Sequence, residues 1–159
     1  MIAGLKTGRG RIGAVPRSRR LQRGAAAIEF ALIFIVFFVL FYAIISYAIV
    51  MLLQSAFLHA AEEGARAAIA VDRLASSDYA ATVESHATEQ ALAALDWMSD
   101  SLKNRVAVEA SLSGSMLDVK VVYSDYTSDP LVPILTIPVI GQVPNLPNDL
   151  AGTARINLY

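Results

Sequence analysis

A chain of 159 residues has room for one modest domain beyond whatever it places in a membrane. Its net charge of −1 conceals an asymmetry: residues 1–23 carry seven bases and no acid, whereas the remainder carries six bases against all 14 acids, a net −8. The absence of cysteine excludes disulfides, thiolate metal sites and a cysteine nucleophile.

The leading bases are Lys6, Arg9, Arg11, Arg17, Arg19, Arg20 and Arg23. A polybasic arm beside a hydrophobic segment reads first as a topology signal and only second as a nucleic-acid patch, so no nucleic-acid partner is expected. From Phe30 to Leu53 no charged residue occurs over 24 positions. At ~1.5 Å per residue this run is roughly 36 Å of helix, enough for a hydrocarbon core of about 30 Å with some tilt. A cleaved secretory signal has a shorter apolar region with small residues at its far end, whereas here the small residues precede the run. "SRRLQR" lacks the apolar residues that a twin-arginine export signal places directly after its arginine pair. The bases should stay in the cytoplasm, which predicts an N-terminus inside and everything past about Gln54 outside.

One carboxylate, Glu29, lies about one turn into the apolar run that starts at the alanines. Two readings of it are open. It is an interfacial acid favoured by the positive N-terminal end of its helix. Alternatively, the chain is cut between Gly24 and Ala25, which removes all seven bases and leaves Ala25 with a new α-ammonium. Glu29 then lies at i+4 from that ammonium, on the same helix face, and pairs with it in its own chain or a neighbour's.

"QRGAAAIEFALIFIVFFVLFYAIISY" followed by "LQSAFLHAAEEGARAAIA" resembles the N-terminal signature of TadE-like pseudopilins of the tight-adherence (Tad, or Flp) pilus system. By that resemblance Gly24 precedes the cut, Ala25 is the mature first residue, and Glu29 and Phe30 are the acid and aromatic of the family motif. Glu62 to Ala68, "EEGARAA", matches its second element. The resemblance covers roughly residues 19–70. It implies a membrane prepilin peptidase acting at the cytoplasmic face, with Arg19, Arg20 and Arg23 holding the scissile bond there, a role that their charge alone supports. The mature first residue differs from the phenylalanine of many type IV pilins. A major Flp-type pilin is disfavoured, because such chains are much shorter past the helix, and a TadG-like relative would need a large extra C-terminal domain.

Beyond Leu53 the helix is predicted to continue to about Val71. Ala60, Gly64 and Ala68 recur every four residues, as do Ala61 and Ala65. This is either a face for close helix packing or simply an alanine-rich stretch of high helix propensity. Glu62 and Arg66 have the favourable i,i+4 order. His59 reads as a polar helix residue and not a metal ligand. "DRLASSD" breaks the pattern, with Ser76 or Ser77 as the expected cap. A second helix is predicted over about Asp78–Leu102, with Ala80, Val83, Ala87, Ala91, Ala94, Leu95 and Met98 on its apolar face, Trp97 off that stripe, and Glu84, His86 and Glu89 on the polar side.

The period then changes to two. Val106, Val108, Ala110 and Leu112, a turn at "SGS", and Leu117, Val119, Val121 and Tyr123 predict a hairpin. "TARINLY" predicts a third strand with Ala154, Ile156 and Leu158 on one face. Between them the Pro-rich segment 128–148, with Pro130, Pro133, Pro138, Pro144 and Pro147, fits neither helix nor central strand. It is either an extended loop over one side of the sheet or a surface that partner subunits bury. Asp125, Asp129 and Asp149 are too scattered for a calcium site.

The predicted fold class is therefore α+β: a long N-terminal transmembrane helix continuing into a pilin-like head with a second helix and a small antiparallel sheet of about three strands. The expected parts are a leader 1–24, a transmembrane helix 25–53 and an extracytoplasmic head 54–159. No motif of a catalytic site is present, so no enzyme, cofactor or metal is expected. The expected function is that of a minor pseudopilin helping to assemble or initiate a Tad/Flp-type adhesive pilus, in the inner membrane or incorporated in the pilus. Its partners would be the membrane, a prepilin peptidase, other pilins or pseudopilins (a second TadE-like chain among them) and the Tad assembly machinery. The alternative is an uncleaved single-pass protein whose outer head binds envelope partners.

Overall fold

A computed structural model describes residues 19–74, 77–138 and 141–159, with side chains from residue 24 onward. Lys6, Arg9, Arg11, Arg17 and Ser76 lie outside the described residues, as do the side chains of Arg19, Arg20 and Arg23. The architecture is α+β, as the patterning predicts. In chain order the elements are α1 (Arg19–Ala68), α2 (Tyr79–Ala94), α3 (Asp100–Lys103), β1 (Val106–Ser113), β2 (Met116–Tyr123), β3 (Leu135–Ile137), β4 (Gly141–Val143) and β5 (Leu150–Asn157).

The chain divides within α1, after Leu40. Ahead of the division the described side chains are exposed almost without exception and overwhelmingly apolar. Gly24–Ala68 is the one described helix long and apolar enough to cross a membrane, which makes the chain a candidate single-pass membrane protein. Phe30, Phe34 and Phe38 stack along one face, with ring centroids 5.9 and 6.2 Å apart.

Phe41–Tyr159 form the head. Here α1 changes character. Ser46, Val50, Leu53, Phe57, Ala60, Ala61, Ala65 and Ala68 are buried at helical spacing. The expected stripe of small residues is thus a packing face, and it packs within the chain, against α2. A β-carbon on Gly64 would sit 2.6 Å from the Ala87 carbonyl oxygen and 3.0 Å from the Ala91 side chain. α1 ends at Ala68, one turn short of the expected Val71. There, i→i+3 bonds from Ile69, Ala70 and Val71 tighten the chain, and the Asp72 carboxylate accepts from the Leu74 amide at 2.9 Å, competing with further helix.

α2 is capped by Asp78 and not by a serine, its carboxylate accepting from the Ala81 amide at 3.1 Å. A carboxylate both satisfies an orphan donor and favours the helix dipole, which a serine hydroxyl does only in part. Val83, Ala87, Ala91, Leu95 and Met98 are buried as predicted, Ala80 is exposed, and Trp97 stands 63% exposed. The single helix expected to Leu102 is in fact two. α2 stops at Ala94 through i→i+3 bonds, and a separate turn, α3, starts after Ser99, whose carbonyl accepts from Leu102 and Lys103. The apolar stripe ends at the polar Ser99–Ser101, where the Ser99 and Ser101 hydroxyls bond each other at 3.0 Å and Ser99 gives the new turn no side-chain cap.

The sheet has the order β1-β2-β5, antiparallel throughout. The hairpin turns at Gly114, whose φ of 63° a side chain would resist. Alternation puts Val108, Ala110, Leu117, Val119 and Val121 toward the helices, while Glu109, Asp118, Lys120 and Arg155 occupy the opposite face, where Arg155 pairs with Asp118. β5 begins at Leu150, earlier than "TARINLY" suggests, and brings Gly152 opposite Val121 on the helix-facing side. A β-carbon on Gly152 would lie 2.2 Å from the Leu58 backbone nitrogen, so α1 and β5 meet backbone to backbone. Among its described residues the Pro-rich segment contains no central strand, but it is not simply a loop: β3 and β4 pair as a two-stranded ribbon, Leu135 with Val143 and Ile137 with Gly141.

Candidate functional site

Two groups of residues carry the functional expectations. The first lies in the apolar end of α1. Gly24, Ala25, Glu29 and Phe30 are all helical and exposed, and Ala25 and Glu29 share a face by their i,i+4 spacing. A β-carbon on Gly24 would meet nothing within 4 Å, so no packing contact requires glycine there. α1 starts at Arg19, ten residues before Glu29. The favourable field of a helix N-terminus fades within the first turn, so in the uncut chain it does not reach this carboxylate. Among the described residues Glu29 has no ion-pair or hydrogen-bond partner.

The second group is the seam of Ala60, Gly64 and Ala68. All three are buried, and Gly64 lets the α1 and α2 backbones approach closely. The "EEGARAA" element thus forms the last two turns of α1, inside the head. The expected Glu62–Arg66 pair is replaced by Arg66 with Glu63, 3.3 Å apart at i,i+3. Glu62 points to solvent, and the pair that forms is surface-exposed, worth a few tenths of a kcal/mol, about as much as the one expected.

Several residues with evident roles escape a reading by motif. The Glu84 carboxylate accepts from the Leu112 amide at 2.7 Å, tying α2 to β1. Tyr42 donates its hydroxyl hydrogen to the Pro133 carbonyl, and the Asn145 amide donates to the Tyr47 hydroxyl at 3.1 Å, so two tyrosines of α1 hold the β3–β4 ribbon. Arg105 pairs with Asp129 at 2.8 Å and donates to the Tyr123 hydroxyl, which raises its guanidinium pKa. A glycine inside a strand pattern, Gly152, is a signal of close backbone approach that the sequence does offer. Among the described residues no group of three or more His, Asp or Glu is placed to hold a metal ion. His59 is exposed, and His86 is half-buried.

Comparison with protein families gives a match to the family described as TadE-like protein over residues 24–66. Neither the curated proteins nor the solved structures contain a match to the chain. The family match opens on Gly24 and closes on Arg66, so it takes in the first residue group and Ala60 and Gly64 of the second, and leaves Ala68, α2 and the sheet outside it. From Gly24 to Arg66 the chain is TadE-like, in keeping with a protein of the Tad pilus system.

Proposed function

We propose that the chain is a minor pseudopilin, cut between Gly24 and Ala25 by a prepilin peptidase, that helps to assemble or initiate a Tad/Flp-type adhesive pilus. The observation that carries this reading is the position of Glu29: nearly three turns inside the uncut helix, exposed, and beyond the reach of the helix N-terminus. Cutting at Gly24–Ala25 changes that environment in one step. Glu29 becomes the fifth residue, the new ammonium stands at i−4, and the fresh helix N-terminus lies within a turn or so. A carboxylate in an apolar helix costs on the order of 2.5–3.5 kcal/mol at the bilayer centre and less toward an end, and a neighbouring ammonium offsets part of this. The same pairing between adjacent chains would register one subunit against the next.

Gly24 also suits a processing site. A glycine inside a helix weakens it by roughly 1 kcal/mol relative to alanine, which eases the local unwinding that a peptidase needs to reach the bond. Arg19, Arg20 and Arg23 would hold that bond at the cytoplasmic face of the inner membrane, with the head in the periplasm. Other pilins or pseudopilins and the Tad assembly machinery are the partners this role requires.

The continuity of α1 through Gly24–Ala25 favours a second reading, an uncut single-pass protein whose head binds envelope partners. N-terminal sequencing of the protein from its native membrane, with and without the peptidase, separates the two. A chain beginning at Ala25 only when the enzyme is present is expected, as is normal cutting but impaired assembly in Glu29→Ala. Retention of residues 1–23 in piliated cells would overturn the pseudopilin reading.

A further inference from the structure

We infer that the β3–β4 ribbon is a membrane-contacting flap, by which the head rests in the outer interface of the bilayer that α1 crosses. The inference deepens the membrane-anchored reading and rests on it. Its first support is depth. The ribbon is flanked by Pro133 and Asn145, and these are bonded to Tyr42 and Tyr47 of α1. Both tyrosines belong to the uncharged run Phe30–Leu53. At ~1.5 Å per residue they lie roughly 18 and 26 Å along that run, Tyr42 just past the middle and Tyr47 in the outer third of a hydrocarbon core of about 30 Å. What hangs on Tyr47 shares its level, toward the interface where Tyr is a usual anchor, and the bond to Tyr42 ties the same segment to the outer half of the run.

The second support is composition. No charged residue occurs between Pro130 and Asn148. Val132, Val143 and Pro144 turn inward and are buried, while Leu131 and Leu135 remain 40% and 36% exposed, with Pro133 and Pro138 exposed beside them. The outer face of the three-stranded sheet, by contrast, carries Glu109, Asp118, Lys120 and Arg155. This surface is charge-free, its exposed polar side chains being the uncharged Thr136, Gln142 and Asn145, and it adjoins an apolar helix run, which is the profile of an interfacial lipid contact.

The third support is the backbone. Unpaired amides are costly at a lipid boundary. Here β3 and β4 pair with each other, and five prolines between 130 and 147 remove donors that would otherwise need partners. A protein partner would tolerate open backbone or supply its own bonds. The ribbon instead limits its need for either.

The chain has no native cysteine, so single labels are clean. The full chain would be reconstituted in phosphatidylcholine–phosphatidylglycerol vesicles as Leu135→Cys, Phe34→Cys or Lys120→Cys. Each variant would carry an environment-sensitive fluorophore, with nitroxide lipids as shallow or deep quenchers. The expected result is a blue-shifted label at residue 135 that loses most of its emission to the shallow quencher, a label at 34 quenched by the deep one, and a label at 120 affected by neither. Quenching at 34 without quenching at 135 overturns the flap and leaves the spanning helix intact. Quenching at neither overturns both. A label at 135 that turns apolar only when a second pilin is added makes the surface a protein interface, and the flap is again overturned.

Discussion

The two parts of α1 each present an apolar face and meet opposite fates. Between Ile28 and Leu40 the side chains are large, Phe, Leu, Ile and Val, and exposed. Between Phe57 and Ala68 the apolar residues that face the head are mostly alanine, with one glycine, and buried. Both faces are apolar. Size separates them: lipid chains conform to bulky residues, whereas a second helix or a strand at backbone distance admits only small ones. Tyr42, Ser46 and Tyr47 mark the transition, where polar atoms enter the apolar run and Tyr42 and Tyr47 find partners in Pro133 and Asn145. Ser46 is buried with its hydroxyl unpartnered among the described residues, the one polar side chain buried in this part of the helix.

That contrast breaks most sharply at Gly152. A β-carbon there would stand 2.2 to 2.6 Å from the backbone of Phe57 and Leu58, and backbone cannot rotate away as a side chain can. Gly152→Val is expected to lose about 3 kcal/mol, the upper part of the usual range for overpacking, in denaturant unfolding of the full chain in detergent. Gly64→Val should follow the same course, and Gly64→Ala should cost less, about 1–2 kcal/mol, because better helix propensity offsets part of the clash with the Ala87 carbonyl. Gly24→Ala is the matched control. With nothing within 4 Å, it should leave head unfolding unchanged and stiffen the helix by up to roughly 1 kcal/mol locally. A large loss at Gly24, or none at Gly152, would undo the distinction between the two parts of the helix.

Next in size is Glu84. Its carboxylate satisfies the Leu112 amide near the hairpin end of β1, an outer strand of the sheet. Glu84→Ala leaves that donor without its partner and should cost about 1–2 kcal/mol, with faster hydrogen exchange at the Leu112 amide. Glu89, on the same helix and exposed, should be replaceable by alanine within about 0.5 kcal/mol. Equal losses at the two positions would mean that the bond to Leu112 contributes nothing.

Local order is where the sequence is most legible. The hairpin, the apolar stripe of α2 and the small-residue stripe of α1 follow from periods of two and 3.6 that the chain keeps without interruption. The limits of elements are less so. Asp78 takes the capping role from its neighbouring serines, because short polar side chains compete for the same backbone donors and the winner depends on geometry, while the turn after Ser99 starts on its carbonyl with no side-chain cap. Long-range pairings leave the least trace. Nothing local to Tyr42 or Tyr47 announces Pro133 or Asn145, some ninety residues on, and Glu84 is indistinguishable from Glu89 until β1 is placed beside it. At the candidate processing end the order is reversed: "RGAAAIEF" is legible as a motif, while the folded chain adds the exposure of Gly24 and the distance of Glu29 from the start of its helix.

Tyr126 gives the smallest effect and tests how the head tolerates a polar atom in its interior. The ring is fully buried and meets Tyr123 edge-on with centroids 5.3 Å apart, and its hydroxyl has no hydrogen-bond partner among the described residues. Burial pushes its pKa above the ordinary phenol value; the nearby Val132 and Leu131 backbone favours the phenolate, without closing a hydrogen bond, and does not reverse this. The neutral phenol is therefore preferred in the folded state more than in the unfolded one. Its contribution is fully present below the unfolded phenol pKa, near 10, and is lost as pH rises through the higher folded value. Tyr126→Phe removes an unsatisfied hydroxyl while keeping the ring, so at neutral pH it should be neutral or stabilising by up to about 1 kcal/mol. The same variant should lose less stability than the parent above pH ~10. Denaturant midpoints at pH 8 and pH 11 for the two chains measure both effects. A destabilised Tyr126→Phe at pH 8 would mean that the hydroxyl has a partner after all.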